Sequence, residues 1–304
     1  MKSIMAFSAA ALLLSQSALA GPPVRYRTAA VDGLTIAYRE AGPADGPVLV
    51  LLHGRQTASH MFQALIPPLA EHYHVIAPDM PGFGQSSAPA PSEFAYNFDH
   101  LAEVTRAFLK DRGVDRFGLV MHDWGVSVGF RLAAAAPRSI SLLVVQNGVI
   151  CDDPKRERVW LDPYWETRDP AAEARLRNSY RLQTTIKYHQ IGARDAANIA
   201  PDAWALDQYY LDLPGRKDIQ AELMFQVGRE HSHYGEWQAY LKRYRPPLIV
   251  LWGRDSPVYS EFHANCYKTA DPAADIHFYN GGHFLFDEHA EDAAKRILAL
   301  APAK

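Results

Sequence analysis

The sequence predicts an α/β fold: a mostly parallel sheet covered by helices on both faces, with a helical cap inserted late in the chain. Three observations lead there. Continuous apolar runs at Val48–Leu52, Gly118–Met121 and Leu248–Trp252 read as strands buried on both faces. These runs alternate with stretches of helical spacing. Between Asn147 and Pro246, roughly a hundred residues carry no strand pattern yet are rich in Trp, Tyr, Arg and helix formers, too long for a plain loop.

Taken in order, residues 24 to 40 read as a hairpin, alternating over Val24–Val31 and Leu34–Glu40 with Asp32-Gly33 as the turn. Val48–Leu52 is the first buried strand, and Met61–His72 has helical spacing. His74–Ala77 is the next strand, followed by a turn-rich Pro78–Gly84. Phe98–Lys110 predicts an amphipathic helix ending near Gly113. Gly118–Met121 is a strand and Val126–Ala135 a helix. Leu142–Gln146, Leu248–Trp252 and Ile276–Tyr279 complete the strands, and Ala290–Leu300 closes the chain as a helix.

The 304 residues, 48% hydrophobic, suit one large domain with an inserted subdomain. A net charge of -3 and the lack of any basic tract argue against nucleic-acid partners. Residues 1–20 read as a signal peptide: Lys2, an apolar run from Ile4 to Leu14, and Ala18-Leu19-Ala20 as the cleavage site before Gly21. The expectation is an exported chain, periplasmic or secreted, with no membrane span once processed. It divides into a core of residues 21–147 and 246–304 and a cap of residues 148–245. Cys151 and Cys266 could pair in an oxidising compartment or remain separate buried thiols. Nothing in the pattern sets the oligomeric state.

Leu119–Val126 carries the chemistry. A buried strand runs into a sharp turn and a helix, and the turn presents Asp123 at its tip. A carboxylate needs no base to become a nucleophile, and it attacks saturated carbon to leave an ester on the enzyme. Gly125-Val126-Ser127-Val128-Gly129 also matches G-x-S-x-G, but the strand ends at Met121, so Ser127 falls inside the helix rather than at the elbow. Asp123, Asp255 and His283 each follow a strand, and parallel strands bring such ends together.

With Leu52-His53-Gly54, Ala77–Ser86, His122-Asp123-Trp124-Gly125 and Gly282-His283 in place, the chain resembles the aspartate-nucleophile branch of the α/β-hydrolase superfamily, which includes epoxide hydrolases and haloalkane dehalogenases. The resemblance spans nearly all of residues 25–300 and implies an α/β-hydrolase fold. It implies that Asp123 forms an alkyl ester and that His283 activates the water that hydrolyses it, oriented by an acid. It also implies that the backbone N–H groups of Arg55 and Trp124 hold the oxyanion, and that the Trp124 indole can donate to a leaving halide. Relatives commonly place the acid three residues after the glycine ending its strand. That position here is Ser256, and Asp255, one earlier, is the expected acid, with a substitute near Asn147 as the other candidate.

The substrate markers are mixed. Arg55 and Gln56 stand where haloalkane dehalogenases often have asparagine and epoxide hydrolases proline. The cap offers Tyr164, Tyr180, Tyr188, Tyr209, Tyr210, Tyr234 and Tyr240 as proton donors to an epoxide oxygen, although any single one fits packing better than acid catalysis. His53, Gln56, Trp160 and Trp165 are candidate pocket residues, the two tryptophans also fitting plain cap packing. His231 and His233 lack a third ligand at zinc-like spacing, so no metal is expected, and the mechanism needs no cofactor. The expected substrates are small apolar electrophiles and water, with an epoxide ahead of a haloalkane. An acyl-ester hydrolase and a non-catalytic binding protein on the same fold are the rival readings.

Overall fold

The computed structural model describes residues 21–300. The expected signal peptide, residues 1–20, lies outside the described residues. The sheet has eight strands: β1 (Arg25–Val31), β2 (Leu34–Ala41), β3 (Val48–Leu52), β4 (His74–Pro78), β5 (Phe117–His122), β6 (Ile140–Gln146), β7 (Leu248–Gly253) and β8 (Asp275–Tyr279). Their spatial order is β1-β2-β4-β3-β5-β6-β7-β8, antiparallel at the β1–β2 and β2–β4 pairs and parallel elsewhere. The hairpin turns at Asp32-Gly33, both at positive φ, the geometry a two-residue turn needs to follow strand twist.

The helices are α1 (Ile66–Ala70), α2 (Phe98–Asp111), α3 (Trp124–Ala135), α4 (Asp162–Thr167), α5 (Pro170–Ser179), α6 (Leu182–Gln190), α7 (Pro201–Asp212), α8 (Arg216–Val227), α9 (His231–Tyr244), α10 (Glu261–Ala270) and α11 (Phe286–Leu300). None is long and apolar enough to cross a membrane. Alternating strand residues feed two cores. Val50, Leu52, Leu119 and Met121 face α2 and α3, while Leu49, Leu51 and Val120 face α1 and α11. Both faces of the central strands are therefore apolar, as their continuous runs require.

Two stretches depart from the sequence expectation. Met61–His72 is not one helix but a 3-10 turn over Ser59–Phe62 followed by the short α1. Pro67 and Pro68 lack the N–H groups that would continue a helix back into Met61–Leu65. Helix α10 had no sequence expectation.

Helices α4 to α9 all lie between β6 and β7 and form the roof over the strand ends. The roof is tied to the core in several places. Arg131 on α3 forms a bidentate pair with Glu230, at 2.8 and 2.9 Å. Arg216 Nη2 donates to the carbonyls of Gly84 and Ser86, both at 3.1 Å. Cys151 and Cys266 are joined in a disulfide with their Cα atoms 6.4 Å apart, fastening the start of the roof to α10.

Candidate active site

Asp123 follows β5 with φ 48° and ψ −114°, a conformation a non-glycine residue holds at a cost of about 1–3 kcal/mol. Its surroundings enforce it. Its N–H donates to Gln146 O at 3.3 Å and its carbonyl accepts from Val126 N at 3.0 Å. Gly125 lets α3 press against β3, since a Cβ there would lie 2.2 Å from Leu52 O. Because Leu52 pairs with Met121, the chain leaving β3 runs alongside the elbow, and Arg55 N donates to Asp123 Oδ1 at 2.9 Å.

His283 follows β8, three strands from β5, and reaches Asp123 because its loop crosses the intervening strand ends. Arg254 N donates to Tyr279 O, Asp255 N to Gly281 O, and Gln146 Nε2 to His283 O at 2.8 Å. His283 Nε2 thereby lies 3.4 Å from Asp123 Oδ2, with both residues buried. Burial opposes charge on Asp123, but His283 and the Arg55 N–H prevail and hold its carboxyl well below the usual carboxylate range. His122 lies behind, its ring 4.7 Å from that of His283; burial, reinforced by His283, pushes its pKa down to about 3, so it is neutral.

The histidine's other nitrogen faces neither expected acid. His283 Nδ1 lies 3.2 Å from Ser256 Oγ. Asp255 is exposed and its side chain makes no hydrogen bond among the described residues. The turn explains this: Ser256 N bonds back to Gly253 O, which brings position 256 rather than 255 beneath the imidazole. Asn147 is occupied elsewhere. Its Oδ1 accepts from Gly253 N at 2.8 Å and its Nδ2 donates to Gly253 O at 3.1 Å. Gripping one residue's N–H and C=O together requires an amide, which both donates and accepts.

Above Asp123 is a group of phenols around one cation. The Arg55 guanidinium lies 5.8 Å from the Tyr180 ring and 5.6 Å from the Tyr188 ring. Burial works against its charge, but Tyr180, Tyr188 and Asp123 together raise its pKa. The Tyr188 ring is 5.4 Å from the His283 ring. Burial pushes Tyr180 up to about 12 and Tyr188 higher still, so both are neutral donors. Tyr259, from the loop after β7, has its ring 5.9 Å from that of His283, and burial together with the charge of Asp123 raises its pKa too. No spacing rule marked Tyr259, because its loop has no periodicity.

The remaining candidates separate clearly. Trp124 is buried beside Asp123, edge-on to Phe83 and Phe98, with 4% exposure. Ser127 lies inside α3, as its spacing required. His53 is fully buried with both nitrogens engaged, Nδ1 to Gly54 O and Nε2 accepting from Met80 N, which leaves none for substrate. Gln56 is partly exposed at φ 60°. Trp165 donates to Met224 O at 2.8 Å and Trp160 lies under Arg175, so both pack within the cap. Of the other cap tyrosines, Tyr164 donates to Ala221 O, Tyr210 accepts from Gln85, Tyr209 is exposed and Tyr240 packs on Phe130, while Tyr234 is half-buried against Trp237.

A nucleophile elbow, a histidine returning from the last strand and a helical roof define an α/β hydrolase, and the chain belongs to the alpha/beta hydrolase fold family, whose model matches residues 47–290. It is 33% identical over 275 residues to an uncharacterized hydrolase of Saccharomyces cerevisiae, covering 88% of this chain and 94% of the relative. It is 26% identical over 295 residues to a haloalkane dehalogenase of Mycolicibacterium paratuberculosis, covering 89% and 88%. The epoxide hydrolase CorEH has the same fold, with a TM-score of 0.76 at 20% identity over 91% of this chain and 98% of that one.

Proposed function

We propose that the protein opens small epoxides through a covalent ester on Asp123, which a water activated by His283 then hydrolyses. The observation that carries this reading is the pair of neutral phenols, Tyr180 and Tyr188, grouped with Arg55 above the nucleophile. Opening an epoxide creates an alkoxide that needs a proton, whereas a departing halide does not. The Tyr180 hydroxyl is buried without a hydrogen-bond partner among the described residues, which leaves its O–H group to point at the ring oxygen. Asp123 Oδ1 is held by Arg55 N–H, so Oδ2 is the attacking oxygen. In the second step the ester oxygen held there becomes the oxyanion. Asp123 and His283 are both buried, which strengthens each of these interactions.

Haloalkane cleavage is the second reading. It is favoured by the buried Trp124 indole beside Asp123 and by the haloalkane dehalogenases among the sequence relatives. The Cys151–Cys266 disulfide suits an oxidising compartment and so supports the export expected from residues 1–20.

The test is trapping. His283→Gln, incubated with mixed epoxides and haloalkanes, should gain the mass of one substrate on the peptide containing Asp123, and Asp123→Asn should not. An adduct from epoxides without halide release marks the first reading, and halide release marks the second. No adduct and no turnover from any panel member would refute both.

A further inference from the structure

Buried histidines and carboxylates form a second cluster, away from Asp123, where α6, α7 and α11 meet. His189 Nδ1 lies 2.9 Å from Asp287 Oδ2, and its Nε2 lies 2.9 Å from Asp207 Oδ2. Asp207 Oδ1 is in turn 2.8 Å from His60 Nε2, on the 3-10 turn after β3. The His189 ring stacks on Phe284 at 3.9 Å, beside His283, with Trp204 at its edge. A neutral imidazole has only one N–H, so one carboxylate would face a lone pair; two carboxylate partners require the imidazolium.

We infer that His189, clasped between Asp207 and Asp287, is a positioning residue that seats the cap segment 188–195 on the loops carrying Ser256 and His283. That segment is in direct contact with both loops. A Cβ on Gly192 would lie 2.1 Å from Asp255 O, and one on Gly282 would lie 2.4 Å from Ile191 O. Glu288, next to Asp287, adds a second clasp by accepting from the N–H groups of Arg194 and Asp195 at 3.0 and 2.8 Å. Tyr188, adjacent to His189, is the phenol over His283 and Arg55. The clasp therefore sets where Tyr188 stands, whichever bond is broken at Asp123.

The groups facing His189 are Asp207 from α7, Asp287 from α11 and, through Asp207, His60. Burial opposes its charge, but the two carboxylates raise its pKa to about 9. The group is therefore raised above its unfolded value. The ion pairs are complete below the ordinary histidine pKa and are lost as pH rises through about 9. A cleft of about 130 Å³ lined by His60, His189 and Asp287 gives protons a route in.

The test is histidine titration by NMR together with hydrogen exchange of amides 188–195, corrected for intrinsic base catalysis, on the full oxidised chain. In the wild type, His189 should titrate near pH 9 and exchange should rise at least tenfold between pH 7.5 and 9.5. Asp287→Asn, nearly isosteric, should lower the midpoint by at least one unit. His189→Gln should exchange fast at pH 7.5 and show no further transition. A midpoint below 7, an unmoved midpoint in Asp287→Asn, or unchanged exchange in His189→Gln would overturn the inference. Should His189→Gln fail to fold, Asp287→Asn decides alone. None of these readouts requires turnover, so they stand or fall apart from the trapping experiment.

Discussion

Ser256→Asp should speed hydrolysis of the Asp123 ester. A general base at His283 Nε2 needs the proton on Nδ1. Ser256 Oγ does not enforce that tautomer, because a hydroxyl both donates and accepts. The neighbouring amides work against it: Val258 N and Tyr259 N approach Oγ at 3.3 and 3.4 Å and occupy its lone pairs. The hydroxyl proton is then directed at His283 Nδ1, 3.2 Å away, which leaves the ring proton on Nε2, facing Asp123. That tautomer suits the resting contact with the Asp123 carboxylate and is the wrong one for activating water. A carboxylate in the serine's place would bind the Nδ1 proton and stabilise the imidazolium by about 4 kcal/mol at 4 Å in a surface-like dielectric. Desolvating the new charge removes part of this. A net gain of about 1.5–3 kcal/mol corresponds to roughly 10- to 150-fold. The assay is quenched flow with intact-mass detection: wild type should accumulate ester before steady state, and Ser256→Asp should hydrolyse it faster with alkylation unchanged. Equal hydrolysis rates in the two proteins, or a wild type that never accumulates ester, would refute the reasoning.

Asp255→Asn should keep activity within about twofold, since the side chain is exposed and unbonded; steady-state kinetics would reveal any larger loss. Tyr180→Phe with Tyr188→Phe should slow epoxide opening by about 100-fold while sparing halide displacement, as read by adduct formation against the two substrate classes. Cys151→Ser with Cys266→Ser opens a loop of sequence separation 115 and should cost about 2–5 kcal/mol in denaturant unfolding. Ser127→Ala should leave adduct formation intact, because that hydroxyl lies within α3; loss of the adduct would return the serine to contention.

Legibility in the sequence followed the kind of constraint at each position. The strands β3, β5 and β7 were readable because burial on both faces leaves an uninterrupted apolar run. Asp123 and Ser127 could be told apart because the end of such a run fixes the elbow to the residue. His283 was readable as the residue after the last strand, although its path across β6 and β7 depends on Gln146 and Gly253, which carry no periodic signal. The cap tyrosines were visible as a set, but choosing Tyr180 and Tyr188 required the tertiary position of Arg55. The clasp at His189 joins residues from three helices and was invisible for the same reason.

The orienting residue shows where one-dimensional reading stops. Counting from Gly253 points to position 256, while looking for a carboxylate points to 255, and spacing alone cannot rank a position against a side-chain type. The turn hydrogen bond from Ser256 N to Gly253 O fixes position 256 under the imidazole. A carboxylate one residue early cannot recover that place by sliding the loop, because Asp255 N is already bonded to Gly281 O and its carbonyl packs against the cap turn at Gly192. Shifting the loop by one residue would break both contacts and with them the path that carries His283 to Asp123. The geometry that delivers His283 to Asp123 is thus the same geometry that leaves it with a serine.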